Sequence, residues 1–533
     1  MSGRHKIWIA AAAAVLTLIG VLIVINSSST SSTTRALSDR KTSPAPAPHS
    51  SSSGSGSIPV TPLGKPINWV SCPDLAKSYT GRDVPGFTFD CGRVAVPQDW
   101  KNPGNGKTFD IAVARARAAN QSNRIGSLLM NPGGPGGSGL ELLAGIAGQM
   151  PSDVTRRFDL VGFDPRGVGH SSPVKCLSAK DEDAVFAADP DPKTQAEFDQ
   201  VVAINKKIGT DCGQKYGDQL ALFSTEQSAR DIDALRQGVG DAKTNYLGFS
   251  YGTLLGATYA QLFPNNIRAM VLDGAIDPKQ GYIAGAESQA SGFQHAFNNF
   301  AAWCKQNKST CPIANDPQGE VLKAMEDART NPITDSSGRT ATAGMIMVAV
   351  SSAMYTQQYW APLAQTFGLL KQGDPRGVFI LADAYTERQS DGTYNNLFDV
   401  FDTVSCADAQ NLPSLTEIRQ LQSEWRQKYP LFGAGMATGM ISCVVWPNQH
   451  DPYPTGKAVG APPIVVVGTT GDPATPYAQT AKLASMLGVG EVLTWKGEGH
   501  TAYPQTKCIS NAVDGYLLDL KTPPPNTVCP AKS

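Results

Sequence analysis

The stretch Asn245–Pro264, NYLGFSYGTLLGATYAQLFP, sets an apolar strand-like run against a helix-like one, with Gly248-Phe249-Ser250-Tyr251-Gly252 between them. A serine between two glycines at such a junction is a G-x-S-x-G turn, bent so sharply that only small flanking residues let strand and helix approach. The turn presents the Ser250 hydroxyl at a helix N-terminus, where the local field favours developing negative charge. It also demands a strand covered on both faces with a helix folded back on it. That is the unit of a parallel, helix-flanked sheet.

Other segments repeat the pattern. GRVAVPQDW (92–100), FDIAVARARA (109–118), SLLMNPGGPGGSG (127–139), FDLVGFDPRGVGHSS (158–172), IRAMVLDGAID (267–277), PPIVVVGTTGDPATP (462–476) and EVLTWKGEGH (491–500) read as strands. Several are continuous apolar runs ending in Gly-, Pro- or Asp-rich turns. EQSARDIDALRQGVG (226–240) and TPYAQTAKLASMLGVG (475–490) read as helical crossovers. The fold class is α/β, a mostly parallel, doubly wound sheet. About 185 residues separate VLDGAID from PPIVVVG, too many for one crossover. They read mostly helical, with Phe293, Phe297, Phe300 and Trp303 forming a core stripe. The expected organisation is a core over 58–277, an inserted helical cap over 278–445 and a return to the core over 446–533, the cap lying over the carboxyl edge of the sheet, where ligands of such sheets bind.

The N-terminus stands apart. Arg4, His5 and Lys6 precede the uninterrupted apolar run Ile7–Ile25, which as a helix spans about 28 Å, near the thickness of a bilayer core. Residues 1–25 are expected to be an uncleaved signal anchor, or else a cleaved signal peptide, so that the rest is exported and either membrane-anchored outside the cell or secreted. Residues 26–57 are rich in Ser, Thr, Pro and Gly and read as a disordered tether. Ten cysteines all follow the tether, with no C-x-x-C; an even count in an exported chain predicts disulfides. Pairing neighbours in sequence is the simplest arrangement, Cys304 with Cys311 the most local. A net charge of −1 with 17% charged residues leaves no footprint for nucleic acid or an anionic membrane surface. Membrane contact is confined to the N-terminal segment.

A serine nucleophile needs a base. In this architecture the chain order is serine, acid, histidine, which disfavours His170; His5 and His49 lie before the core, and His295 and His450 in or near the cap. His500, just past the last strand, is the candidate base. Asp472, ending IVVVGTTGD, is the candidate acid that orients it, with Asp273 and Asp277 as fallbacks. An oxyanion hole needs two backbone N–H groups: one from Tyr251, and one from the NPGGPGGSG loop, with Gly134 first and Gly133 next. The glycine loop lacks a following G-K-[ST] and no G-x-G-x-x-G occurs with a matching acid, so nucleotide binding is disfavoured. No cofactor or metal is implied. Asp164 and Arg166 in DPRGVGHSS read as braces of the site wall.

These stretches, with RAMVLDGAIDP, the CADAQ to CVVWP region and GEGHTAY, resemble the tripeptidyl aminopeptidases of the prolyl-aminopeptidase-like serine peptidase family across most of 65–530. The resemblance implies an exported α/β-hydrolase fold with a helical cap, removing short peptides from free N-termini, with Ser250 as nucleophile, Asp472 as acid and His500 as base. It leaves substrate length and oligomeric state open, and a small-molecule esterase or amidase is the alternative. A binding protein on a dead scaffold is disfavoured because serine, acid and histidine stand in order; an epoxide hydrolase or dehalogenase would be expected to carry Asp at position 250. A free α-ammonium calls for a buried carboxylate. Glu287 and Asp408 are the foremost candidates, with Asp399 and Asp402 beside them.

Overall fold

The computed structural model describes residues 58–447 and 450–532. The apolar run 7–25 and the tether lie outside them. Among the described residues no helix is long and apolar enough to cross a membrane.

Eleven strands form one sheet: β1 (Val60–Thr61), β2 (Val70–Ser71), β3 (Phe87–Pro97), β4 (Thr108–Ala118), β5 (Gly126–Asn131), β6 (Phe158–Phe163), β7 (Thr244–Phe249), β8 (Ile267–Asp273), β9 (Ile464–Gly471), β10 (Gly490–Glu498) and β11 (Thr527–Cys529). Their order is β1-β3-β4-β6-β5-β7-β8-β9-β10-β11, with β2 added beside β3. From β6 to β11 every pairing is parallel, while β3 and β4 form a long antiparallel ribbon. Every residue of β5, β6 and β7 is buried. That is why these strands read as unbroken apolar runs rather than alternating ones.

Neighbouring residues in a strand serve opposite faces. Leu129, Tyr246 and Val466 join the core under the helices Thr225–Gly238, Tyr251–Leu262 and Ala478–Leu487. Leu128, Leu247 and Val465 join the core under Gly139–Ile146 and Lys507–Asp519. The chain leaves β5 over one face to reach β6, then returns over the other to β7, on the far side of β5. The loops after β5 and β7 therefore diverge and leave a crevice at the carboxyl edge, the switch point of such a sheet.

Over that edge sits a helical cover. Phe293, Phe297 and Phe300 of the helix Tyr282–Gln306 are buried against Ile346, Val350, Leu363 and Phe367, as the stripe predicts. Two helices inside the stretch assigned to the core, Ala179–Ala187 and Gln195–Tyr216, also pack on the cover. A Cβ on Gly344 would meet the carbonyls of Phe186 and Ala188 at 2.4 and 2.3 Å. Asp189 pairs with Arg329 and Asp191 with Arg426. The cover is thus drawn from two separate stretches of chain. All ten cysteines pair with their neighbours in sequence: 72 with 91, 176 with 212, 304 with 311, 406 with 443 and 508 with 529.

Candidate active site

β7 ends at Phe249, and the helix Tyr251–Leu262 starts two residues later. Ser250 between them has φ 55° and ψ −124°, a conformation that costs a non-glycine residue about 1–3 kcal/mol. Its amide donates to Asp273 O at 2.8 Å, and its carbonyl accepts from Thr253 Oγ1 at 2.6 Å. The flanking glycines are needed for space. A Cβ on Gly248 would lie 2.3 Å from Gly252 O, and one on Gly252 would lie 2.8 Å from Asn131 Oδ1.

The loop after β5 packs directly on this turn. A Cβ on Gly133 would meet Phe249 O at 2.5 Å and Ser250 Cβ at 2.8 Å. The Gly133 amide donates to Asn131 Oδ1 at 3.0 Å, so it is already engaged. Gly134, with Ser250 and Tyr251, lines a cavity of about 1120 Å³ between sheet and cover. The Tyr251 amide opens a helix, where the first N–H groups have no partner within the helix.

Asp472 and His500 arrive from the ends of β9 and β10 and are both buried. His500 Nδ1 lies 2.8 and 2.9 Å from the two Asp472 oxygens. The carboxylate also accepts from the amides of Ala474 and Thr475 at 3.0 and 2.9 Å and from Thr475 Oγ1 at 3.0 Å. With its oxygens filled by donors, Asp472 is held as an acceptor for the imidazole N–H. His500 lines the same cavity as Ser250. Its Nε2 is buried without a hydrogen-bond partner among the described residues.

Two supports were invisible in the sequence. Asp273, a fallback acid there, instead accepts from the amides of Ala502 and Tyr503 at 2.9 and 2.7 Å and fastens the loop that carries His500. Burial pushes its carboxyl up to about 7, while those amides and the His500 charge pull the other way. Tyr355, from the cover, accepts the His500 backbone amide at 2.9 Å and sets its ring edge-on to the imidazole at 5.3 Å. Asp277, the other fallback, accepts from Lys279 N and faces Lys482. Asp164 and Arg166 are fully buried braces. Asp164 takes Ser138 Oγ and the amides of Leu140 and His170, while Arg166 forks onto Asp231 and three backbone carbonyls.

The two amine-binding candidates fare differently. Glu287 is not in the cavity: it pairs with Lys428 at 2.6 Å in an outer cleft. The reason is helical phase. Tyr282, Gly285, Ala286, Gln289 and Phe293 turn toward the cavity, and Glu287 lies about 100° around the helix from Ala286. Asp408 does line the cavity, but Thr225 N and Oγ1 donate to its two oxygens at 3.0 and 2.5 Å. The same Thr225 hydroxyl meets Tyr251 Oη at 2.5 Å. Asp399 accepts the amides of Cys176 and Leu177 and faces Lys175. Asp402 lines the cavity.

Residues 126–505 match the family described as alpha/beta hydrolase fold. The chain is 38% identical over 491 residues to "Serine protease Hip1" of Mycobacterium tuberculosis, covering 88% of this chain and 91% of that one. It is 37% identical to "Carboxylesterase B" of the same organism, covering 87% and 89%. "Tripeptidyl aminopeptidase" of Streptomyces lividans is 30% identical over 455 residues, covering 82% and 83%.

Proposed function

The chain belongs to the α/β-hydrolase family, among its tripeptidyl-aminopeptidase-like serine hydrolases, and on that premise we propose that it is an exported aminopeptidase that releases short peptides, tripeptides foremost, from free N-termini. Ser250, His500 and Asp472 carry the chemistry. The observation behind this is the state of His500: one ring nitrogen rests on Asp472, the other is buried without a hydrogen-bond partner among the described residues, and the residue lines the same cavity as Ser250.

Ser250 Oγ attacks the scissile carbonyl while His500 Nε2 takes its proton, and Asp472 stabilises the imidazolium. The oxyanion is received by the amides of Tyr251 and Gly134. The tetrahedral species expels the shortened peptide as an amine, protonated by His500. Water, deprotonated by the same nitrogen, then clears the acyl-enzyme and releases the short N-terminal peptide. Five disulfides support action outside a reducing compartment.

The resemblance to a carboxylesterase at 37% identity supports a second reading, hydrolysis of small esters. One comparison separates the two: free-amine tripeptidyl p-nitroanilides, their N-acetyl twins and short-chain p-nitrophenyl esters. The aminopeptidase cleaves the free-amine peptides at least about tenfold faster than the blocked ones, and Ser250→Ala abolishes turnover of all three. Equal cleavage of free and blocked peptides, or ester turnover alone, defeats the proposal.

A further inference from the structure

The cavity wall contains several carboxylates, and most are already answered. Asp189 has Arg329, Asp277 has Lys482, and Glu182 has Lys175 at 3.4 Å on one oxygen, its other oxygen being buried without a hydrogen-bond partner among the described residues. Asp408 has Thr225 on both oxygens. Asp402 is different: no lysine or arginine of the described residues is paired with it, and the half-buried residue lines the cavity. Burial and the charge of Asp399 push its carboxyl up to about 7, and the Ser442 hydroxyl beside it eases that only in part. A carboxylate so placed is stabilised by an incoming cation.

Its position gives the cation an identity. Asp402 lies on the helix Leu397–Asp408, whose Phe398, Phe401, Asp402, Ser405 and Asp408 share one face toward the cavity, at spacings of three and four. That helix spans the roof of the site. Its first residue abuts the loop after β5, since a Cβ on Gly136 would meet Leu397 O at 2.4 Å. Its last is joined through Thr225 to Tyr251. Asp402 is five residues from Leu397, about 7.5 Å along the axis. Three extended residues reach at most about 10 Å. A peptide that runs along this helix from the β5 loop reaches the level of Asp402 after two or three residues.

We infer that Asp402 is the receptor for the free α-ammonium of the substrate and so sets how many residues are removed; this rests on the aminopeptidase reading. The ammonium makes a charge-assisted hydrogen bond to the carboxylate. A blocked N-terminus brings no charge and leaves the buried carboxyl unanswered. Phe398 and Phe401 share the cavity face of the helix with it, and the burial of the carboxyl strengthens the pairing.

The test uses the full enzyme, Asp402→Asn, and Glu182→Gln as a comparison, on a free-amine tripeptidyl p-nitroanilide, its N-acetyl twin and p-nitrophenyl butyrate. Asp402→Asn is expected to lower kcat/KM on the free-amine peptide by about 30-fold or more, the scale of losing one partner of a buried charge pair. Its ester and N-acetyl turnover stay within about threefold, so discrimination between free and blocked peptides collapses. Glu182→Gln keeps the discrimination. The inference is overturned if Asp402→Asn loses all three activities alike, if it keeps the discrimination, or if Glu182→Gln is the variant that abolishes it. A wild-type enzyme indifferent to N-acetylation defeats the aminopeptidase reading itself, before any variant is made.

Discussion

Ser250 carries a backbone conformation that glycine adopts freely and serine does not, and the surrounding bonds hold it there. The strain is part of presenting the hydroxyl. Replacing the side chain separates the two contributions. Ser250→Ala removes the nucleophile and keeps the strain, whereas Ser250→Gly removes both. The glycine variant is expected to be more stable than the alanine variant by about 1 kcal/mol, strain relief exceeding the extra chain entropy of glycine. Chemical denaturation of the two inactive proteins measures this, and a less stable glycine variant refutes it. The glycine spacing around Ser250, and the order of Asp472 and His500, could be read from the chain because each follows from what a strand end must do. The anchoring of residues 501–503 by Asp273 could not, since a buried aspartate at a strand end looks the same whether it faces an imidazole or two amides.

At the scale of elements, strands β5 to β9 were legible because burial on both faces leaves a continuous apolar signature. The cover was harder. Its helices are amphipathic, and spacing alone does not say which polar residue faces a cavity. Glu287 and Asp402 sit on helices of similar character; helical phase sends one outward to Lys428 and the other inward. Nor does the sequence reveal that 179–216 joins the cover, because that depends on long-range pairs such as Asp191 with Arg426. The helix bearing Asp402 is pinned to Cys443 by the disulfide from Cys406, which closes a loop of 37 residues. Loop-closure entropy predicts that the double variant Cys406→Ala/Cys443→Ala loses about 2–4 kcal/mol. A urea titration beside the native enzyme checks the value, and a loss below about 1 kcal/mol contradicts it.

For the whole molecule, buried carboxyls set the dependence of stability on pH. Asp273, Asp402 and Asp408 are raised to about 7, against about 3.9 in an unfolded chain. Between those values the folded state binds more protons than the unfolded one, so stability falls as pH rises and levels off above 7. Lowered groups such as Asp374, at about 2, titrate below that window and oppose the trend only in strong acid. Tm is therefore expected to be higher at pH 5.5 than at pH 8, with the difference reduced in Asp402→Asn; a flat or rising profile contradicts this. A last consequence comes from the bond between His500 and Tyr355, reinforced by the pairing of Thr356 with Gly499. Roof and base are one mechanical part. A displacement of this part of the cover is transmitted through those backbone bonds to the loop that holds the imidazole. The cover therefore has two tasks at once, walling the cavity and steadying the base that serves it.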